Sequence, residues 1–196
     1  MPADEVTPSP TALKALAHPV RLRLLGLLRT EGASTASRLA ERLGLNSGAT
    51  SYHLRQLADH GFVVEDAELG NARERWWRAA HRSTHVPESY SSEESAQDAR
   101  EAFSQAVAVT YAGELQRAVE AQTTTPPEWH GATDFSDWSL RLTPDEARDL
   151  LEEVHAVVER RRRWDPDRPE APAGAGLYRI LITGFPRPWQ GKGETP

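Results

Sequence analysis

The chain has 196 residues, 38% hydrophobic and 27% charged, with a formal net charge of −6 and no cysteine. That length suits one large domain or two small ones, and the missing thiols exclude disulfides, iron–sulfur clusters, thiolate zinc sites and cysteine nucleophiles. No apolar run reaches the roughly 18 residues of a membrane span, and the acidic, Pro-rich start MPADEVTPSP is the opposite of a secretory signal, so a cytoplasmic protein is expected.

The charge is unevenly spread. Residues 11–82 hold 11 Arg/Lys against 7 Asp/Glu, a balance of +4, whereas the remainder holds 12 against 22, a balance of −10. A basic first part on an acidic body is the polarity expected where only one part of a chain meets phosphate.

Taken in order, residues 1–9 read as a disordered leader. A first helix is predicted near 11–17. Pro19, placed in a first turn where its missing N–H costs nothing, opens a second over 19–31. Ser34 and Thr35 form a capping pair for a short helix over 36–43, closed by Gly44. Asn46 caps a helix over 47–60, closed by Gly61. The period then changes: 62–65 and 73–79 are β-rich around a turn at 69–72, which predicts a hairpin with positive φ at its tip near Gly70 and Asn71. Trp76 and Trp77 are adjacent on a strand and must point to opposite faces. One can enter the core, and the other is expected to be covered by the long helix or the C-terminal segment.

A polar link follows over 81–90. Residues 91–122 read as one long helix with a broad apolar face, Ala99, Phe103, Ala106, Val107, Tyr111, Leu115, Ala118 and Val119. After the breaker at 123–133, residues 138–142 alternate like a strand. Thr143, Pro144 and Glu146 start a helix with a capping box, running to about 163, and 177–183 is a second strand candidate. The predicted divisions are a leader 1–9, a domain of short helices and a hairpin 10–82, a long helix with an α+β extension 83–185, and a loose tail 186–196.

Short helix, glycine turn, second helix and hairpin is the winged helix-turn-helix order. The stretch from Leu13 to Asp66 resembles the ArsR-type family of bacterial repressors. The residues that carry the resemblance are Ala17-His18-Pro19-Val20-Arg21, Leu39-Ala40 with Leu43-Gly44-Leu45, Ser51-Tyr52-His53-Leu54 with Leu57, and Gly61-Phe62-Val63. It implies a homodimeric DNA-binding repressor acting on a palindromic operator, mainly α with a small β content. On a helical wheel, Thr50, His53, Leu54 and Leu57 face inward, while Ser47, Gly48, Ser51, Tyr52 and Arg55 face away as a recognition helix requires. With Asn46, these are the candidate groove residues. Arg73 and Arg75 near the wing tip, and Arg21 and Arg42, are candidate phosphate contacts.

Phe103, Val107, Tyr111, Leu115 and Val119 are the expected dimer contacts, because a lone helix with so broad an apolar face needs a partner. Many ArsR-type proteins sense metals, but the positions where the family places its ligands hold neither Cys nor His here. The resemblance therefore points to the branch that does not sense metal, with no cofactor. His81 and His85 lie four apart in the Pro87-containing link and are not expected to bind metal. His18 and His53 are read as structural. The role of 134–184 and the identity of any small-molecule effector stay open. No phosphate loop, nucleophile elbow or HExxH motif occurs, so no enzyme is expected. The alternative is a protein-interaction module that retains the winged helix without binding an operator.

Overall fold

The structure, a computed structural model, describes residues 3–70, 74–91, 94–161 and 172–186. The chain forms two compact units, one from the N-terminus through Thr124 and a second beginning at Thr125.

In the first unit, β1 (Ala3–Val6) precedes α1 (Pro10–Leu16), α2 (Pro19–Thr30), β2 (Ser34–Thr35), α3 (Ala36–Leu43) and α4 (Ser47–Asp59). Then come β3 (Val63–Glu65), β4 (Trp76–Ala79), β5 (His81–Thr84) and, after a short 3-10 turn, the 28-residue α5 (Glu94–Ala121). Local chemistry sets the helix ends. Ser9, His18, Thr35 and Asn46 cap α1 to α4, each side chain accepting a backbone N–H two or three residues on. Gly44 stops α3 in the left-handed region at φ 66°, which frees Leu45 N to donate to Ala40 O at 2.8 Å.

The wing is a three-stranded antiparallel sheet in the order β2-β4-β3. Ser34 and Thr35, read as a cap alone, also pair with Trp77 and Trp76, so two residues serve both a helix cap and a sheet edge. The core lies between this sheet and the helices. Leu16, Leu24, Leu25, Leu28, Leu39, Leu54, Leu57, Phe62, Val63 and Trp77 form one buried cluster. At about 1.5–3 kcal/mol per fully buried apolar side chain, this cluster is the main stabilising element of the unit.

Several expectations are corrected. The leader is not disordered along its length: Ala3, Glu5 and Val6 pair in parallel with His81, Ser83 and Thr84, which makes part of the predicted polar link a strand. Two side chains tie β5 and the leader to the rest of the unit. Arg29 of α2 donates from Nε to His81 O at 2.9 Å and from Nη2 to Thr84 Oγ1 at 2.8 Å, and the Tyr90 hydroxyl donates to Pro8 O. Burial lowers the Arg29 guanidinium to about 10, still charged at neutral pH.

Gly70 does not adopt positive φ. Its lack of a side chain serves close approach instead: a Cβ there would stand 3.1 Å from Asp66 O, the carbonyl that accepts Gly70 N at 3.0 Å. Asn71 lies outside the described residues. Of the two tryptophans, one of which is expected in the core, Trp77 enters it, whereas Trp76 is covered from α3, where the Arg38 guanidinium sits 4.7 Å from its ring centroid, a cation–π contact.

Helix α5 belongs to the first unit and not to the C-terminal extension, because it packs on α1 and α2. The buried stripe is Ala96, Ala99, Ala106 and Thr110, small side chains that let helix axes approach closely.

In the second unit, α6 (Pro144–Glu159) begins as predicted. Thr143 Oγ1 accepts from Glu146 N, and the Glu146 carboxylate accepts from Thr143 N at 2.7 Å, completing the capping box. Those hydrogen bonds from Thr143 hold the Glu146 carboxyl below its ordinary value. The two predicted strands are absent: among the described residues, 138–142 and 177–183 form no strand and have no ladder partner. Alternation makes a segment compatible with a sheet, but a strand exists only where a second strand supplies hydrogen bonds. The aromatics Trp129 and Tyr178 stack instead at 6.1 Å, and the Tyr178 hydroxyl donates to Ala132 O.

Candidate nucleic-acid interface

Helix α4 is amphipathic in the predicted sense. Thr50, Leu54 and Leu57 are essentially inaccessible, whereas Ser47, Gly48 and Arg55 are exposed, Ser51 is half-buried and Tyr52 is 51% exposed. The apolar side is fixed against the core, which leaves the other side available at the surface.

Its first turn is rigidly built. Asn46 Oδ1 accepts from Ala49 N at 2.7 Å, and Thr50 Oγ1 donates back to Asn46 O at 3.0 Å. Asn46 is exposed, yet its carbonyl oxygen is committed to the cap rather than to a base edge. A Cβ on Gly48 would lie 3.4 Å from Asn46 Oδ1, in van der Waals contact with the capping oxygen.

The candidate cations divide into two kinds. Arg21 lies half-buried in the first turns of α2, and its Nε is enclosed with no hydrogen-bond partner among the described residues. Burial lowers its pKa, and Tyr52 acts in the opposite direction. Arg42 and Arg75 are instead tied to carboxylates, Arg42 Nη2 to Glu31 Oε1 at 3.2 Å and Arg75 Nε to Glu65 Oε2 at 3.0 Å. Arg75 also lies over the Trp77 ring, 5.6 Å from its centroid. Both ion pairs are about half exposed or more, so each is worth no more than about 1 kcal/mol and is weakened by salt. A phosphate can compete for either guanidinium. Arg73 lies outside the described residues.

The structure therefore brings together Asn46, Ser47, Gly48, Ser51, Tyr52 and Arg55 on one helix, with Arg21 electrostatically linked to Tyr52. It does not join Arg42 or Arg75 to that group. Sequence reasoning missed Arg38, whose cover of Trp76 joins α3 to the wing, and it did not foresee that His18 and His53 meet, with ring centroids 4.7 Å apart. Neither contact has a sequence signal, since the partners lie far apart along the chain.

The expected dimer residues fall into two sets. Phe103 packs against its own unit's core, and Val107 and Tyr111 are half-buried there, whereas Leu115 and Val119 are 47% and 49% exposed. Val109, 60% exposed, was not anticipated. Among the described residues, no group of three or more His, Cys, Asp or Glu side chains could hold a metal ion, and no helix is long and apolar enough to cross a membrane.

Comparison with known proteins agrees with this geometry over the same segment. The family described as a helix-turn-helix domain matches residues 16–66. The HTH-type transcriptional regulator YgaV of Escherichia coli (strain K12) is 39% identical over 51 residues, 26% of this chain. The chain spans about half, 52%, of that relative's length. Among solved structures, the homodimeric winged helix-turn-helix DNA-binding domain of Mb0332 from Mycobacterium bovis, a possible ArsR-family transcriptional regulator, is 25% identical. The match covers 53% of this chain and 82% of that one, with a TM-score of 0.33. RV1404 from Mycobacterium tuberculosis is 16% identical over 76% of this chain and 83% of its own, with a TM-score of 0.30. From α2 through β3, the chain thus carries a helix-turn-helix domain, extended by β4 into a winged form.

Proposed function

We propose that the chain is a sequence-specific DNA-binding transcriptional regulator of the ArsR type, from the branch that does not sense metal, acting as a homodimeric repressor on a palindromic operator. One observation carries this reading: α4 buries Thr50, Leu54 and Leu57 while Ser47, Gly48, Tyr52 and Arg55 on its opposite side stay exposed. A helix anchored so firmly on one side and presenting small polar, aromatic and cationic groups on the other suits the major groove. The relative YgaV, an HTH-type transcriptional regulator by name, supports it over the matched residues. The exposed Val109, Leu115 and Val119 on the second half of α5 support dimerisation, which would supply the two-fold symmetry of a palindromic site.

Selection of genomic fragments by the purified protein tests the reading. The expected result is a palindromic consensus bound with an affinity that falls steeply with salt. Arg55→Ala should cost roughly 1–3 kcal/mol of discrimination if Arg55 meets a base edge. Light scattering should give about twice the 21.8 kDa chain mass. A monomer at micromolar concentration would remove the dimer, and fragments bound without consensus would remove sequence-specific reading.

A second reading, a winged-helix module that binds protein, is favoured by one feature. Arg42 and Arg75 are already neutralised by Glu31 and Glu65. It predicts no salt-dependent shift of any duplex.

A further inference from the structure

His18 and His53 meet where α2 begins, their ring planes inclined by 43°. His18 is the N-cap of α2, and its Nδ1 accepts from Val20 N at 3.1 Å. A ring nitrogen that accepts carries no proton, so this cap exists only in the neutral imidazole protonated at Nε2. His53 Nδ1 is enclosed and has no hydrogen-bond partner among the described residues, so a proton there would become a buried donor without an acceptor. The His53 ring also meets Tyr52 at 5.4 Å and 66°, edge to face, and Tyr52 stands on the uncovered side of α4. The pair thus connects a helix cap to a residue of the candidate interface.

We propose that His18 and His53 form a proton-sensitive latch that holds the first turn of α2 against α4, and thereby positions Tyr52, only while both imidazoles are neutral. The surroundings act in the same sense. Burial, then the charge of Arg21, lowers the pKa of His18; burial, then His18 and Arg21, lowers that of His53. The charged and titratable groups that act on the pair are therefore Arg21 of α2 at both rings and His18 at His53, with Tyr52 of α4 acting on Arg21. Because each folded pKa lies below the ordinary 6.5, the unfolded chain takes up protons first. The latch's contribution to stability is complete above that value and is lost as pH falls through the folded pKa values. Only the consequence for α4 as a DNA-reading helix rests on the proposed function; the latch itself is testable without DNA.

The test uses the full chain. Imidazole titration by NMR should place His18 and His53 below 6.5, and a value at or above it for either residue overturns the latch. Thermal unfolding is then compared between about pH 7.5 and about pH 5.5 for the native chain and for His18→Asn, which caps without titrating. The variant should lose less of its Tm on acidification than the native chain, and an equal loss overturns the proposal. Should His18→Asn not fold, the titration of the native chain decides alone. Binding of a random-sequence duplex at the same two pH values separates the two readings. No binding at either pH sinks the DNA reading while the titration still decides the latch.

Discussion

The two units handle apolar side chains in opposite ways. In the first, Leu13, Leu16, Leu24, Leu25, Leu54, Leu57, Phe62 and Val63 are at most 2% exposed and form a core with polar caps at its edges. In the second, no described residue is buried, and Trp138, Leu140, Leu177, Ile180 and Phe185 are exposed by half or more. Hydrophobic content alone does not make a core. The first unit has helices with one apolar face each and a sheet to pack them on. Among its described residues, the second has the amphipathic α6 and two strand-like segments without a ladder partner.

The sharpest break of this comparison is a matched pair of truncations. Leu54→Ala should cost about 2–5 kcal/mol by leaving a cavity in a packed core. Leu140→Ala, at a residue 62% exposed, should stay within about 0.5 kcal/mol. Urea unfolding measures both, and equal losses would mean that the second unit is covered after all.

Helix caps give a smaller contrast. Asn46→Ala should remove about 1 kcal/mol from the cooperative unfolding of the first unit, because α4 is part of its core. Thr143→Ala should fray α6 locally, seen as faster amide exchange over 144–148, without moving the first unit's transition. A shared transition for both variants would show that the two units unfold together.

The smallest effect concerns the wing. Arg75→Ala should change stability by no more than about 1 kcal/mol, since the pair with Glu65 is exposed to solvent. If the wing meets DNA, the same change should flatten the salt dependence of binding by about one unit. A large loss of stability with no change in salt dependence would make Arg75 a strut of the sheet and not a phosphate contact.

Within the site, the division of α4 was legible from residue spacing. Thr50, Leu54 and Leu57 fall on one side of a helical wheel whatever the fold, so the exposure of Ser47, Gly48 and Arg55 followed. The state of the cations was not legible. Arg21, Arg42 and Arg75 read alike in sequence, yet one is half-buried with an enclosed Nε and two are paired to carboxylates, Arg42 with Glu31 from the end of α2 and Arg75 with Glu65 on the neighbouring strand.

What the sequence determined alone was the set of features encoded within a few residues: α2, α3 and α4 bounded by Pro19, Thr35, Gly44 and Asn46, the hairpin strands, and the capping box of Thr143 and Glu146. Caps, turns and apolar periods are short-range physics, set by residues close together in the chain. Tertiary structure decided what depends on distant partners. Residues 3–6 became a strand only because His81 to Thr84 offered an edge and Arg29 clamped it. Trp76 found Arg38, and the small residues of α5 became its buried side because α1 and α2 were there to meet them. The segments 138–142 and 177–183 carry strand-like patterns but stayed unpaired, because a ladder needs a neighbouring strand, and no pattern within one segment can supply it.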